Sequence, residues 1–90
     1  MNILRAASAG TLESSDALVM VSPGEGELVI EIESVVLPHF GAAIRQAVEE
    51  VAREMGLAAG TIRVNDQGAL DCTLRARVET AISRGTEAGT

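Results

Sequence analysis

Two adjacent serines, Ser14 and Ser15, stand out among the few side chains of this sequence that could take part in chemistry. They lie between Glu13 and Asp16, just ahead of an apolar run. The chain has one histidine, one cysteine, no lysine, tyrosine or tryptophan, and a single aromatic residue, Phe40. A chain this poor in reactive groups is better suited to being modified, or to carrying a group, than to catalysis. We therefore expect the serines to be an attachment site.

Ser14 does not fit the pattern of a hydrolase nucleophile. No Gly-x-Ser-x-Gly sequence surrounds it, and nothing ties the one histidine, His39, to it. Without a base the hydroxyl stays protonated and weakly nucleophilic, so a modifying enzyme would have to supply that base. The surrounding Gly-, Thr- and Ser-rich segment predicts exposed backbone that such an enzyme can reach. The alternative is that Ser14, Ser15 and Asp16 only form a turn.

The remaining candidates favour structural roles. Cys72 falls early in a predicted helix, where a small buried hydrophobic side chain is common, whereas a reactive thiol needs a nearby cation such as Arg75. His39 is expected at the start of a helix rather than as a ligand. Alternating glutamates predict the solvated face of a strand, with a docking surface for a basic partner as the alternative: Glu25, Glu27, Glu31 and Glu33. No spacing predicts a metal site.

The hydrophobic pattern predicts the order strand, strand, helix, strand, helix. An apolar run at 17–21 and an alternating run at 27–33 flank a Pro- and Gly-containing turn, which predicts a hairpin. Helical spacing follows at 38–55, with Pro38 in its first turn and Gly56 just past its end. A third strand at 61–64 precedes a second helix at about 70–83, with Leu70 on its apolar face and Gly85 as its stop.

Two helices with apolar stripes can both be buried only on one face of the sheet. We therefore expect an α+β fold, a two-layer sandwich with a small, mostly antiparallel sheet of three or four strands and two amphipathic helices on one face. A fourth strand would come from residues 2–12 or 67–71. Residues 1–90 are expected to form one domain, with flexible ends at 1–8 and 86–90.

Charge and composition exclude several classes of protein. A net charge of −6 and a pI of about 4.6 argue against nucleic-acid binding and against docking on anionic membranes. No apolar stretch is long enough to span a bilayer, and the N-terminal apolar stretch is too short for a signal peptide. One cysteine cannot form an internal disulfide. These features predict a cytoplasmic protein.

Three blocks of this sequence resemble the acyl carrier protein (gamma) subunit of citrate lyase. They are residues 9–16 (AGTLESSD), 40–45 (FG-x-AIR) and 64–77 (VNDQGALDCTLRAR). The resemblance covers roughly residues 9–84. Ser15 stands where some members have glycine, which leaves a choice between two hydroxyls, and Ser14 is favoured because it directly follows Leu-Glu. Fatty-acid carriers, which are four-helix bundles with an Asp-Ser-Leu motif, do not match.

The resemblance implies a non-catalytic carrier subunit with a covalent cofactor. The cofactor would be 2'-(5''-phosphoribosyl)-3'-dephospho-coenzyme A, joined to Ser14 by a phosphodiester, with an acetyl group on its terminal thiol. A citrate lyase alpha subunit, the acyl transferase, would exchange acetyl for citryl. A beta subunit, the citryl lyase, would release oxaloacetate and regenerate the acetyl thioester. The reactive sulfur would then belong to the cofactor, so the chain needs no catalytic residue of its own.

A prosthetic-group transferase is a further implied partner, because the arm must be attached to the serine. We expect partners to dock around Glu13, Asp16, Asp71 and Arg75. Two alternatives stay open within the same class, the carrier subunits of citramalate lyase and of malonate decarboxylase. A third alternative, from a different class, is an unmodified acidic adaptor domain.

Overall fold

The computed structural model describes residues 1–35 and 41–86, which form four strands and two helices. In chain order they are β1 (Ala7–Gly10), β2 (Ala17–Ser22), β3 (Leu28–Ser34), α1 (Gly41–Glu54), β4 (Gly60–Asp66) and α2 (Asp71–Thr86). The strands form one sheet in the order β1-β2-β4-β3. β2 is antiparallel to both β1 and β4, while β3 is parallel to β4. The predicted fold class is confirmed, and β1 is the predicted fourth strand.

The predicted hairpin is wrong, because β4 lies between β2 and β3. The segment that joins β2 to β3 crosses the start of β4, where the Gly60 amide donates to the Glu27 carbonyl oxygen over 3.1 Å. The chain then returns through α1, and a helical connection of this kind delivers a parallel neighbour. The inward side chains of β4, Ile62 and Val64, are 0% and 3% exposed. Burial therefore places β4 at the centre of the sheet.

One face of the sheet carries the core and the other is open. Alternate side chains of β2 and β4 pack with the buried residues of α1 and α2, among them Val19, Val48, Val78 and Ile82. Each such side chain stabilises the fold by about 1.5–3 kcal/mol. On the open face the paired neighbours Met20, Arg63 and Glu31 are exposed. Both helices thus cover a single face, as the pattern predicted.

The helix ends agree with the sequence at one end and differ at the other. Gly56 follows α1 with a φ of 72°, and its amide donates to the Arg53 carbonyl oxygen over 3.0 Å, a Schellman-type ending. The predicted start at Pro38 lies outside the described residues. Leu70 precedes α2 and is 70% exposed, so its place on the apolar face was wrong. Gly85 does not stop α2 but is buried inside it, where a Cβ would lie 2.7 Å from Val21.

The N-terminal segment, for which the sequence predicted flexibility, contacts the rest of the domain. Ile3 is 3% exposed, and its amide donates to the Ala59 carbonyl oxygen over 3.0 Å. The Leu4 amide donates to the Gly85 carbonyl oxygen over 2.8 Å. At the other end Thr86 closes α2, and the rest of the predicted flexible tail lies outside the described residues. Neither described helix has the length and apolar character needed to cross a membrane.

Candidate functional site

The two serines occupy the tip of the loop that joins β1 to β2. The Asp16 amide donates to the Glu13 carbonyl oxygen over 3.1 Å, which closes a four-residue turn with Ser14 and Ser15 at its central positions. Both serines are exposed. No described residue forms a hydrogen bond with the Ser14 hydroxyl. The segment is therefore a turn, as one interpretation predicted, and it presents the Ser14 hydroxyl to solvent, as the other did.

Ser15 adopts a backbone conformation that L-residues seldom use. Its φ is 66°, and among the described non-glycine residues it alone has a positive value. A positive φ at the third position is the mark of a type II turn, where glycine is favoured because it has no Cβ. Ser14, at the second position, is not among the residues with positive φ. The turn thus distinguishes two serines that are adjacent in the sequence.

Gln67, in the segment between β4 and α2, holds the serine turn through its backbone. The Ser15 amide donates to the Gln67 carbonyl oxygen over 2.8 Å, and the Gln67 amide donates to the Asp16 carbonyl oxygen over 2.8 Å. Two successive loop residues thus share Gln67 as partner, and the bonds extend the β2–β4 ladder beyond the pairing of Ala17 with Asp66. The turn is therefore an extension of the sheet rather than a free loop.

The Asp16 side chain ties the same loop to α2. Its carboxylate accepts hydrogen bonds from Arg77 Nε at 2.9 Å, from the Thr11 hydroxyl at 2.7 Å and from the Ala17 amide at 2.7 Å. These donors, Arg77 above all, hold the pKa of the Asp16 carboxyl well below its usual range. The Asp16 side chain is 14% exposed. Asp16 is thus engaged within the domain and stays charged at neutral pH.

Gly10 leaves room for this arrangement. Its φ is 91°, and a Cβ at this position would lie 1.8 Å from the Ala17 carbonyl oxygen and 3.1 Å from Arg77 Cδ. No side chain fits there without moving the backbone of β2. The glycine therefore lets β1, β2 and Arg77 meet directly beneath the serine loop.

Asp66 organises the neighbouring segment from inside the domain. Its side chain is buried, with 2% of the residue exposed. It accepts hydrogen bonds from the Ser34 hydroxyl at 2.8 Å, the Ala69 amide at 3.0 Å and the Gly68 amide at 3.2 Å. Because Gln67 lies inside this ring of bonds, Asp66 fixes the backbone that in turn fixes the serine turn.

The residues predicted to dock partners separate into distinct groups. Asp71 and Arg75 form the predicted i, i+4 pair at 2.7 Å, and Arg75 also contacts Glu50 of α1 at 2.6 Å. This cluster joins the two helices, and the Arg75 guanidinium lowers the pKa of Glu50. Asp16 belongs to the serine loop instead. Glu13 is exposed and forms no ion pair with a described residue.

The other candidates are not gathered at the serine turn. Cys72 is exposed, so its predicted burial was wrong: it lies about 200° around the helix from the buried Leu74. His39 lies outside the described residues. Glu31 and Glu33 are exposed on β3, whereas Glu25 and Glu27 precede the strand. Among the described residues no group of His, Cys, Asp and Glu could hold a metal ion.

Sequence reasoning overlooked Arg77 and Gln67 as parts of this site. The structure pairs Arg77 with Asp16, whereas Asp66 binds the backbone of its own segment and Arg75 pairs with Asp71. One signal was available, since both residues fall in the block at 64–77 that carries the resemblance. The partner of Arg77, however, lies 61 residues away in the chain, and no local pattern reports that pairing.

Comparison with known proteins identifies the family. The family described as Malonate decarboxylase delta subunit (MdcD), an acyl carrier protein family, matches residues 4–85. The citrate lyase acyl carrier protein of Pectobacterium atrosepticum is 48% identical over 87 residues, which span 97% of this chain and 91% of the relative. That of Albidiferax ferrireducens is 48% identical over 85 residues, covering 93% and 87%. Citrate lyase acyl carrier protein 2 of Salmonella typhimurium is 46% identical over 88 residues, covering 97% and 91%.

A solved structure shares the fold. A chain in the crystal structure of a Pseudomonas malonate decarboxylase hetero-tetramer in complex with malonate superposes with a TM-score of 0.81 at 22% identity. The match covers 93% of this chain and 87% of that chain. At this identity the likeness is one of fold, while the sequence relatives carry the family assignment. The chain belongs to the acyl carrier protein family that includes the citrate lyase acyl carrier proteins.

Proposed function

We propose that this chain is the carrier subunit of a citrate lyase and that Ser14 bears phosphoribosyl-dephospho-coenzyme A covalently. The observation that carries the proposal is the state of the Ser14 hydroxyl. It is exposed at the centre of a turn and has no hydrogen-bond partner among the described residues. Its neighbours Thr11 and Asp16, by contrast, have side chains engaged within the loop. An enzyme that modifies Ser14 therefore displaces no interaction of the domain.

The turn favours Ser14 over Ser15 as the attachment site. Ser15 has a positive φ, and its amide is bonded to Gln67. A position with this φ accepts glycine readily, which fits the glycine expected there in some relatives. A residue that glycine can replace is a poor choice for an obligatory ester linkage. Ser14 has neither constraint.

The chain itself would contribute the serine oxygen to which the arm is attached and would fix the place of that attachment on the domain. The Ser14 oxygen would attack the phosphorus of the activated precursor of the arm and form the ester bond, while the phosphate-type leaving group departs from that phosphorus and the serine proton passes to a base on the modifying enzyme. When bound, the group supplies the thiol that holds the acyl substituent. Attachment to a rigid tip would confine that thiol to a small volume and raise its effective concentration at neighbouring active sites.

We propose the citrate lyase alpha and beta subunits, together with a prosthetic-group transferase, as partners. Relatives at 46–48% identity are named for citrate lyase, which supports citrate over malonate or citramalate. Glu13 is a free acidic group beside the serine, so we keep it as a docking residue for a basic partner surface. The exposed thiol of Cys72 suits a reducing compartment, and we place the complex in the cytoplasm.

The attachment is tested by labelling in vitro with the prosthetic-group transferase and its activated precursor of the arm. Intact-mass spectrometry should show one added arm on the wild-type chain and none on Ser14→Ala. The matched control is Ser15→Gly, which keeps the turn and should be labelled fully. An unmodified adaptor would show no added mass in any of the three proteins. Labelled chain, reconstituted with the alpha and beta subunits, should support cleavage of citrate rather than malonate.

A further inference from the structure

We propose that Asp16, Arg77 and Gln67 are positioning residues that hold the serine turn in a preformed shape, and that the modifying transferase recognises this shape. The inference rests on the proposed attachment at Ser14 and adds which feature of the chain the transferase recognises. It implies that the target is a folded turn rather than a short extended sequence around the serine.

The first support is that the turn is held in an unfavourable backbone conformation. A serine at φ 66° is disfavoured in an isolated peptide, so the free segment 11–16 would seldom adopt this shape. In the folded chain the two bonds to Gln67 fix the groups on either side of the peptide bond that joins Ser15 to Asp16. The conformation thus depends on the rest of the domain.

The second support is the anchoring of the loop by α2. Arg77 donates to both carboxylate oxygens of Asp16, at 2.9 and 3.4 Å, in the fork geometry that fixes orientation as well as distance. The same carboxylate receives Thr11, whose hydroxyl also accepts the Glu13 amide at 3.1 Å. One ion pair therefore connects both ends of the turn to a helix of the core.

The third support is that these contacts add little to the hydrophobic core. The Arg77 side chain is 41% exposed, and the buried side of α2 consists of other residues, among them Leu74, Val78 and Ile82. An ion pair whose arginine is this exposed contributes little to global stability, even though Asp16 itself is largely covered. Because these contacts lie outside the hydrophobic core, their main effect is to fix the conformation of the serine loop. That loop carries the proposed attachment serine.

The affinity of the transferase for the chain should depend on how much of the chain holds the turn in this shape. If only a fraction of the chains has the turn in the shape that the enzyme binds, the apparent affinity is the intrinsic affinity multiplied by that fraction. Loss of the Arg77 anchor should therefore raise the KM of the transferase for the chain and leave kcat nearly unchanged. A substitution that relieves the strain at residue 15 should restore part of the lost affinity.

The test compares three variants by steady-state labelling kinetics and by NMR of the unmodified chain. For Arg77→Gln we expect a KM about tenfold higher, as when the fraction of chains in that shape falls to about a tenth. The three-bond HN–Hα coupling of Ser15 should change, and its amide should exchange faster with solvent. Arg84→Gln is the matched control, because Arg84 also reaches from α2 to the β1 strand, donating to the Ser8 carbonyl oxygen at 2.8 Å. It should behave as wild type.

The third variant combines Arg77→Gln with Ser15→Gly. Glycine tolerates positive φ, so the KM of this double variant should move back towards the wild-type value, which a purely destabilising role of Arg77 does not predict. The inference is overturned if Arg77→Gln loses the Ser15 coupling yet is labelled with wild-type KM. It is also overturned if Arg84→Gln raises KM equally. If the wild-type chain is not labelled at Ser14, the proposed function fails first and this inference fails with it.

Discussion

Two arginines of α2, only two residues apart, serve different regions of the molecule. Arg75 contacts Asp71 of its own helix and Glu50 of α1, so it joins the two helices. Arg77 lies about 200° further around the helix axis and contacts Asp16 of the serine loop. The Arg75 cluster therefore connects the two helices, and the Arg77–Asp16 pair fixes a surface loop. The domain therefore uses specific polar contacts both for its architecture and for the shape of a single exposed turn.

The largest effect is expected where the serine loop meets the sheet. Gly10→Ala places a methyl group against the Ala17 carbonyl oxygen in a conformation with positive φ. We expect the free energy of unfolding to fall by about 2–4 kcal/mol, measured by urea denaturation. Gly26→Ala is the control, since its φ of 86° is similar but no heavy atom lies within 4 Å of the added Cβ. It should cost about 1 kcal/mol. Equal losses for both variants would show that crowding at Gly10 is unimportant.

Amide hydrogen exchange can separate the roles of the two arginines. Arg77→Gln should speed exchange of the Ser15 amide by about tenfold or more, because the loop opens locally while the core stays closed. Arg75→Gln should leave that amide unchanged and instead lower the free energy of unfolding of the whole domain, by no more than about 1 kcal/mol because its ion pairs are partly exposed. Similar exchange at Ser15 in both variants would mean that the two clusters are one cooperative unit.

The pH dependence of stability should have the same sign in both clusters. The pKa of Asp16 lies below its ordinary value of 3.8 in the folded chain, and that of Glu50 is also lowered. The unfolded chain therefore binds protons more readily, so these carboxylates stabilise the fold above about pH 4 and lose that effect as the pH falls further. Urea denaturation at a series of pH values from about 7 down to about 2 measures how the free energy of unfolding depends on pH. Asp16→Asn should flatten it, and an unchanged slope would contradict the assignment.

The smallest effect is expected at Ser15. Glycine at this position removes the strain of a positive φ, which stabilises the folded chain. It also raises the conformational entropy of the unfolded chain, and the two effects nearly cancel. We expect Ser15→Gly to change the free energy of unfolding by at most about 1 kcal/mol, towards greater stability. Ser15→Val should lower it, because a β-branched residue fits this conformation poorly. A more stable valine variant would show that the turn adopts another shape in solution.

The sequence was sufficient for features that depend on local periodicity. Alternation at 27–33 and helical spacing from Ile44 to Val51 each report a buried face, and the structure has a strand and a helix there. The exposed serine turn also followed from local composition. These predictions succeeded because each depends on residues within a few positions of one another.

The features that failed depend on distant residues. The Pro- and Gly-containing turn marked where β2 ends, but the neighbour of β2 was decided by Ile62 and Val64. These residues lie some forty positions further along, far beyond the windows of about 11–18 residues in which periodicity is read. The pairing of Asp16 with Arg77 likewise follows from the tertiary fold alone. Cys72 is an exception, because its burial was expected from residue type alone although the spacing of Leu74 and Val78 already places it on the other side of the helix.

The central claim, that Ser14 is the attachment point of a carried group, is tested most directly on protein isolated from its native host. Proteolysis followed by tandem mass spectrometry of the peptide that holds Ser14 and Ser15 locates any added mass on a single side chain. We predict the phosphoribosyl-dephospho-coenzyme A mass on the Ser14 oxygen and none on Ser15. An unmodified peptide from an active complex, or the arm on Ser15, would contradict the account.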